Sequence, residues 1–101
     1  MAGVRVIATA DGVAGLQAVL WEQPDVIVLD LAMPRMTGWE ALQSLKTDPR
    51  TRGIPVIVVS GQGRREEAMA SGADSYCSKP CLPDALLREI QRVLRESARK
   101  L

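Results

Sequence analysis

No histidine and no phenylalanine occur among the 101 residues, and the aromatic complement is one Tyr and two Trp. A core must therefore be built from aliphatic side chains. Without His, and with only Cys77 and Cys81 as soft ligands, a zinc centre lacks the four donors it usually takes. The absence of His also removes the commonest general base from any hydrolytic mechanism. The two cysteines stand four positions apart rather than as C-x-x-C, so they are expected to be ordinary reduced thiols. No apolar run approaches the roughly 20 residues that span a membrane. The opening residues lack the charged and apolar regions of a signal peptide, so the expected location is cytoplasmic. Charge of one sign is missing too. Thirteen basic and 12 acidic residues leave a net +1, which gives no electrostatic case for direct nucleic-acid binding.

What is present fits one small globular domain, with 47% hydrophobic and 25% charged residues. The pattern alternates strand and helix. Residues 4–8 read as a strand ending at Asp11-Gly12. Val13, Leu16, Val19 and Leu20 then recur at helical spacing until Pro24. Val26, Ile27, Val28 and Leu29, bounded by Asp25 and Asp30, form an apolar run without alternation. Such a run suits a strand buried on both faces of a parallel sheet. Thr37 and Glu40 have capping-box spacing at the head of a helix that ends at Asp48-Pro49. A second buried strand is expected over 54–59, a short helix over 64–70 stopping at Gly72, and a short strand over 74–77. The longest helix is expected over 82–98, with Leu86, Leu87, Ile90, Val93 and Leu94 as its apolar stripe. Arg88, Arg92, Arg95 and Arg99 make a basic stripe on it that Glu89 and Glu96 can pair with, a solvated or partner-facing surface. The β-α alternation predicts an α/β fold, a parallel sheet flanked by helices, with about four strands and four helices.

In open α/β sheets the chemistry collects outside the carboxyl ends of the strands. Asp11, Asp30, Ser60 and Lys79 map to that edge. Each has an ordinary reading: an Asp capping a turn, a small loop Ser, a Lys-Pro turn. Together, a carboxylate, a hydroxyl and an ammonium at successive strand ends suit aspartyl phosphorylation. The carboxylate attacks phosphorus, and the cation and a bound Mg²⁺ neutralise the phosphoryl oxygens.

At this point the chain resembles a receiver domain of bacterial two-component response regulators. The likeness rests on Ala10-Asp11-Gly12, on Pro24 to Asp30, on Met33-Pro34 and on Met36-Thr37-Gly38-Trp39-Glu40. It continues through Ile54 to Ser60, Ala70-Ser71-Gly72-Ala73-Asp74 and Ser78-Lys79-Pro80. The resemblance implies a CheY-like, flavodoxin-like fold and a signalling module rather than an enzyme. A histidine kinase or phosphotransfer protein would be its phosphodonor. Asp30 would be the phosphoacceptor. Ser60 and Lys79 would bind the phosphoryl group, and Tyr76 would follow Ser60 as the switch aromatic. Ala32 would give Mg²⁺ a backbone carbonyl beside Asp30, and the Lys79-Pro80 bond would be cis.

The chain departs from that family pattern at its front. A receiver opens with a strand ending in an acidic pair, whereas this sequence begins where the second strand would stand, an N-terminally truncated pattern. Mg²⁺ binding would then be weak or absent and phosphorylation impaired, because the acidic pair normally supplies metal ligands. The family's missing strand is central, so its loss would bare an edge of the acceptor strand, and loss of the family's first helix would bare apolar surface beside the last helix. Either the 4–8 strand slides in beside the acceptor strand, or another protomer supplies cover. In both cases a homodimer or larger assembly is expected. If the strand slides, Asp11 would approach Asp30 as a compensating acid; otherwise it is a turn residue. The segment between Ser60 and Lys79 is about one helical turn short for the family, and Cys81 stands where an aromatic is common. A degenerate receiver acting only as an interaction module is the competing reading, and a small hydrolase with Asp30 as nucleophile the weaker third.

Overall fold

Val26, Ile27, Val28 and Leu29 dictate the layering, because four successive apolar side chains on a strand alternate between its two faces and all need cover. In the computed structural model, which describes residues 5–9, 12–30, 37–61 and 63–99, all four are buried. The element order is β1 (Val6–Thr9), α1 (Gly12–Glu22), β2 (Val26–Asp30), α2 (Thr37–Thr47), β3 (Val56–Ser60), α3 (Arg65–Ala70), β4 (Ser75–Ser78) and α4 (Pro83–Arg99). The four strands form one parallel sheet in the order β1-β2-β3-β4. A parallel sheet flanked by helices is what the β-α alternation predicts, and it agrees with the flavodoxin-like fold that the family resemblance implies. Element boundaries differ from the sequence reading by a residue or two. Val4 and Ala10 lie outside the described residues.

Ile27 and Leu29 face one layer, packed with Val19 of α1, Leu42 and Leu45 of α2, Ala68 of α3, and Val56, Val58 and Tyr76 of the sheet. Val26 and Val28 face the other, with Ile57 and with Ile90 and Val93 of α4. Full burial of each such side chain is worth about 1.5–3 kcal/mol. On α4, Leu86, Ile90, Val93 and Leu94 form the apolar stripe as expected, but Leu87 does not belong to it and is exposed. One residue past Leu86 is a rotation of about 100° around the helix, which carries Leu87 off the sheet.

The arrangement at β1 resolves the two alternatives left by the sequence. Val6 pairs with Val26 and Thr9 with Leu29, so this strand lies directly beside β2. Its start is tied down by Asp25, whose Oδ2 accepts the Arg5 amide at 2.9 Å. Helix α1 ends at Gln23, which takes a left-handed φ of 50° and donates from its amide to the Val19 carbonyl at 2.9 Å. The side chain of Gln23 reaches the Leu20 carbonyl as well, satisfying an end-of-helix acceptor.

Opposite the carboxyl edge, one clamp fixes where β3 and β4 begin. Asp74 Oδ2 accepts Lys46 Nζ at 2.6 Å and the Val56 amide at 2.8 Å. Lys46 Nζ also donates to the Ile54 carbonyl at 2.9 Å. Gly72 makes room for this lysine. It sits at φ +103°, and a Cβ there would lie 3.0 Å from Lys46 Cγ.

The sheet is tied to α4 by a polar chain. Ser75 Oγ, buried, donates to Glu89 Oε1 at 2.5 Å, and Arg92 donates to Glu89 at 2.9 Å and to Glu96 at 2.8 Å. The Arg92 guanidinium, then Ser75, hold the Glu89 carboxyl below its usual range. A carboxyl depressed in the folded state binds protons more readily when unfolded. Its contribution to stability is therefore full above the unfolded value, about pH 4.3, and is lost as pH falls through the lower folded value. We expect Glu89→Gln to lower the melting temperature at neutral pH and to make its decline between about pH 5 and pH 3 shallower than in the parent. Calorimetry across that range checks it; an acid limb as steep as the parent's would show that Glu89 contributes nothing to acid sensitivity.

Candidate functional site

Three consecutive parallel strands end at one edge, and their last residues are where the chemistry gathers. Asp30 closes β2, Ser60 closes β3, and Lys79 follows β4 directly. Register places Asp30 opposite Val59, and Ser60 opposite Ser78. Apolar cover holds β2 until its final residue, so Asp30 emerges at the rim of a dry sheet, partly exposed.

Lys79 Nζ donates to Asp30 Oδ2 at 2.9 Å, across 49 positions of sequence. Both side chains are 36% exposed, so the pair is solvent-screened. The backbone of Lys79 is anchored separately: its amide donates to the Ser60 carbonyl at 3.0 Å. The peptide bond between Lys79 and Pro80 is cis. Ser60 is 1% exposed and is the last residue of β3, which corrects the reading of it as a small loop residue. The start of the Lys79 loop bonds across it.

Tyr76 is also buried, at 3% exposure, and its hydroxyl bridges the site to the next helix. It donates to the Ser60 carbonyl at 3.4 Å and accepts the Arg64 amide at 3.1 Å. Arg65, in the first turn of α3, places its guanidinium 5.3 Å from the centre of the Tyr76 ring. Arg64 stands equally far from the Trp39 ring of α2. Both are cation–π distances. Sequence reasoning treated these two arginines only as the head of a short helix. The available signal was a paired cation straight after the Gly61 to Gly63 loop, where Gly63 adopts φ +61°.

Asp11 and Ala32 lie outside the described residues, so the structure brings together Asp30, Ser60, Tyr76 and Lys79 from the expected set. Among the described residues the edge offers one carboxylate. No group of three His, Cys, Asp or Glu side chains gathers among them to hold a metal. Mg²⁺ prefers octahedral oxygen coordination through one or two carboxylates plus other oxygens. The described donors therefore do not make a Mg²⁺ site by themselves.

The cysteines require a correction. Cys77 and Cys81 form a disulfide, with Cα atoms 5.8 Å apart, rather than two reduced thiols. Spacing gave no hint, because only Ser78, Lys79 and Pro80 lie between the pair and their meeting depends on the chain bending back at Lys79 and Pro80. That turn brings Cys81 beside the strand it has just left.

Residues 1–91 match the response regulator receiver domain family. The chain belongs to that family. It is 35% identical over 102 aligned residues to the DNA-binding dual master transcriptional regulator RpaA of Synechocystis, covering 98% of this chain and 42% of RpaA. The chain thus spans less than half the length of that relative. Protein PilH of Pseudomonas aeruginosa is 33% identical over 95 residues, 91% of this chain and 78% of PilH. Among solved structures, the receiver domain of a Pseudomonas aeruginosa sensor histidine kinase, with a magnesium ion coordinated in its active site cleft, superposes with a TM-score of 0.73. It is 27% identical and the match covers 85% of this chain and 73% of that one. No helix among the described residues of this receiver domain is long and apolar enough to cross a membrane.

An ion pair this exposed adds about 0–1 kcal/mol to stability. Lys79→Ala is therefore expected to lower the free energy of unfolding by no more than about 1 kcal/mol. Urea denaturation measures it, and a loss of several kcal/mol would mean that Lys79 holds the fold rather than serving the site.

Proposed function

We infer that this receiver domain accepts a phosphoryl group on Asp30. The observation that carries this reading is the 2.9 Å approach of Lys79 Nζ to Asp30 Oδ2 at the carboxyl edge of the sheet. The donor is a phosphohistidine on a histidine kinase or phosphotransfer protein. An Asp30 carboxylate oxygen attacks phosphorus, the new P–O bond forms as the P–N bond breaks, and the imidazole departs. Lys79 neutralises the phosphoryl oxygens, as a cation placed within reach of the acceptor carboxylate can do. The Ser60 hydroxyl hydrogen-bonds the product. Since Tyr76 donates to the Ser60 carbonyl and accepts from Arg64, a shift at Ser60 passes through Tyr76 to the start of α3. The module signals by docking rather than by catalysis, acts in the cytoplasm and contacts no nucleic acid itself.

With a single described carboxylate at the edge, Mg²⁺ binding is weak in this chain and phosphorylation slower than in a receiver with an acidic pair. Ala32 through its carbonyl and Asp11 as a compensating acid are the remaining candidate donors. The same scarcity favours the competing reading, a degenerate receiver that works by binding alone. Intact mass after incubation with a small-molecule acyl phosphate and Mg²⁺ separates the two. A phosphoryl adduct is expected on the parent and not on Asp30→Asn. No adduct on a folded parent would overturn the phosphoacceptor reading and leave the interaction module.

Self-association is the second part of the proposal. Strand β1 has no strand on its outer side among the described residues, and Val6, Leu20 and an 89%-exposed Trp21 leave large apolar side chains on the surface. Open edges and such side chains favour pairing. Light scattering across a concentration series is expected to give at least the dimer mass; a monomer throughout would remove this part.

A further inference from the structure

We propose that Cys77 and Cys81 are a reversible redox site that holds Lys79 against Asp30. The two cysteines bracket the lysine. Cys77 belongs to β4, in register with Val59 of β3, and Cys81 follows Pro80, so their bond closes a ring that contains Ser78, Lys79 and Pro80. Lys79 is thereby fixed at three points: by the ring around it, by its amide on the Ser60 carbonyl at 3.0 Å, and by its ammonium on Asp30 at 2.9 Å. The last two are weak and exposed or local, so the covalent ring is the strongest of the three restraints.

A ring this short removes little chain entropy from the unfolded state, and loop-closure stabilisation grows with loop length. Its effect is therefore local, on the loop that carries the lysine, more than on the fold as a whole. Both cysteines are partly exposed, so a dissolved thiol or disulfide can reach them. In a cytosolic protein disulfides are usually transient and redox-sensing, which suits a bond that opens and closes.

The oxidant is a low-molecular-weight disulfide such as oxidised glutathione. One cysteine thiolate attacks a sulfur of that disulfide, forming a mixed disulfide and expelling one small thiolate. The second cysteine thiolate attacks the protein-side sulfur, forms the Cys77–Cys81 bond and expels the other. The two protons given up by the protein end on the two released thiols, and two electrons pass from the cysteine pair to the small disulfide. Reduction by excess small thiol is the reverse.

The consequence for the site rests on the phosphoacceptor reading above. A lysine held in place before the phosphoryl group arrives needs no ordering during transfer, so the oxidised form takes up phosphate faster.

The experiment compares the parent protein equilibrated in reduced and in oxidised glutathione. Alkylation followed by intact mass is expected to find two modified cysteines in the reduced sample and none in the oxidised one. Exchange of the Lys79 amide hydrogen is expected to be about tenfold slower in the oxidised sample, because opening the ring lets the loop open locally. Phosphoryl uptake from an acyl phosphate is expected to be about threefold faster when oxidised, with Cys81→Ser giving the reduced rate in both buffers. Two alkylated cysteines in the oxidised sample, or equal Lys79 exchange in both, would overturn the proposal whatever the uptake. Different exchange with no uptake in either sample leaves the redox site standing and defeats the phosphoacceptor reading instead.

Discussion

Burying β2 on both of its faces is the constraint from which the remainder follows. Ile27 and Leu29 need one layer of helices and Val26 and Val28 another, so α1, α2 and α3 take one side and α4 the other. A strand sealed in this way can end in a charge only at the sheet rim, because an ionised carboxylate within the layer would go unsolvated. The position of Asp30 is thus a product of the four residues before it. Parallel pairing then brings the ends of β3 and β4 to the same rim, and Ser60 and Lys79 arrive there by the same logic.

Two Lys–Asp pairs stand at opposite ends of this sheet, and they differ in what they can do. Lys46 and Asp74 are 2.6 Å apart with side chains 13% and 29% exposed, and both also bond to backbone at the entry of β3. Separating them would strand buried polar groups, so the pair acts as a fixture. Lys79 and Asp30 meet at 2.9 Å with both side chains 36% exposed, so their ion pair stands partly in water. Their separation costs little, about 1 kcal/mol or less. A pair that is cheap to part is what a site needs if a third party with more negative charge is to enter between them.

Much of this was legible from residue pattern. Unbroken apolar runs before Asp30 and Ser60 specified the two central strands, and the family likeness added Tyr76 and the cis bond at Pro80. What stayed hidden has a common physical origin, namely geometry set by turns and not by periodicity. Cys77 and Cys81 meet because the chain doubles back between them. Ser60 is buried because the Lys79 amide closes over it. Leu87 looked like part of a stripe because five apolar residues cluster in α4, yet only a helix-face argument at one-residue resolution shows it turned outward. Arg64 and Arg65 carried no signal beyond their charge and their place after the Gly61 to Gly63 loop, since their partners Trp39 and Tyr76 come from other elements.

Tyr76 shows how a change at the rim would leave the site. Its hydroxyl spans Ser60 and Arg64 through bonds of 3.4 and 3.1 Å, while its ring is packed in the core beneath Arg65. The ring is therefore held by packing and its tip by hydrogen bonds at the long end of the normal range. Packing resists gradual adjustment and favours discrete arrangements. If the Ser60 backbone moves, the tip loses its acceptor first, and Arg65, whose guanidinium stacks on the ring, lies in the first turn of α3. Under the phosphoacceptor proposal, a shift at Ser60 would reach the surface through Tyr76 and the six-residue helix α3. A helix that short has little stability of its own, so its position answers to what Tyr76 and Arg65 do.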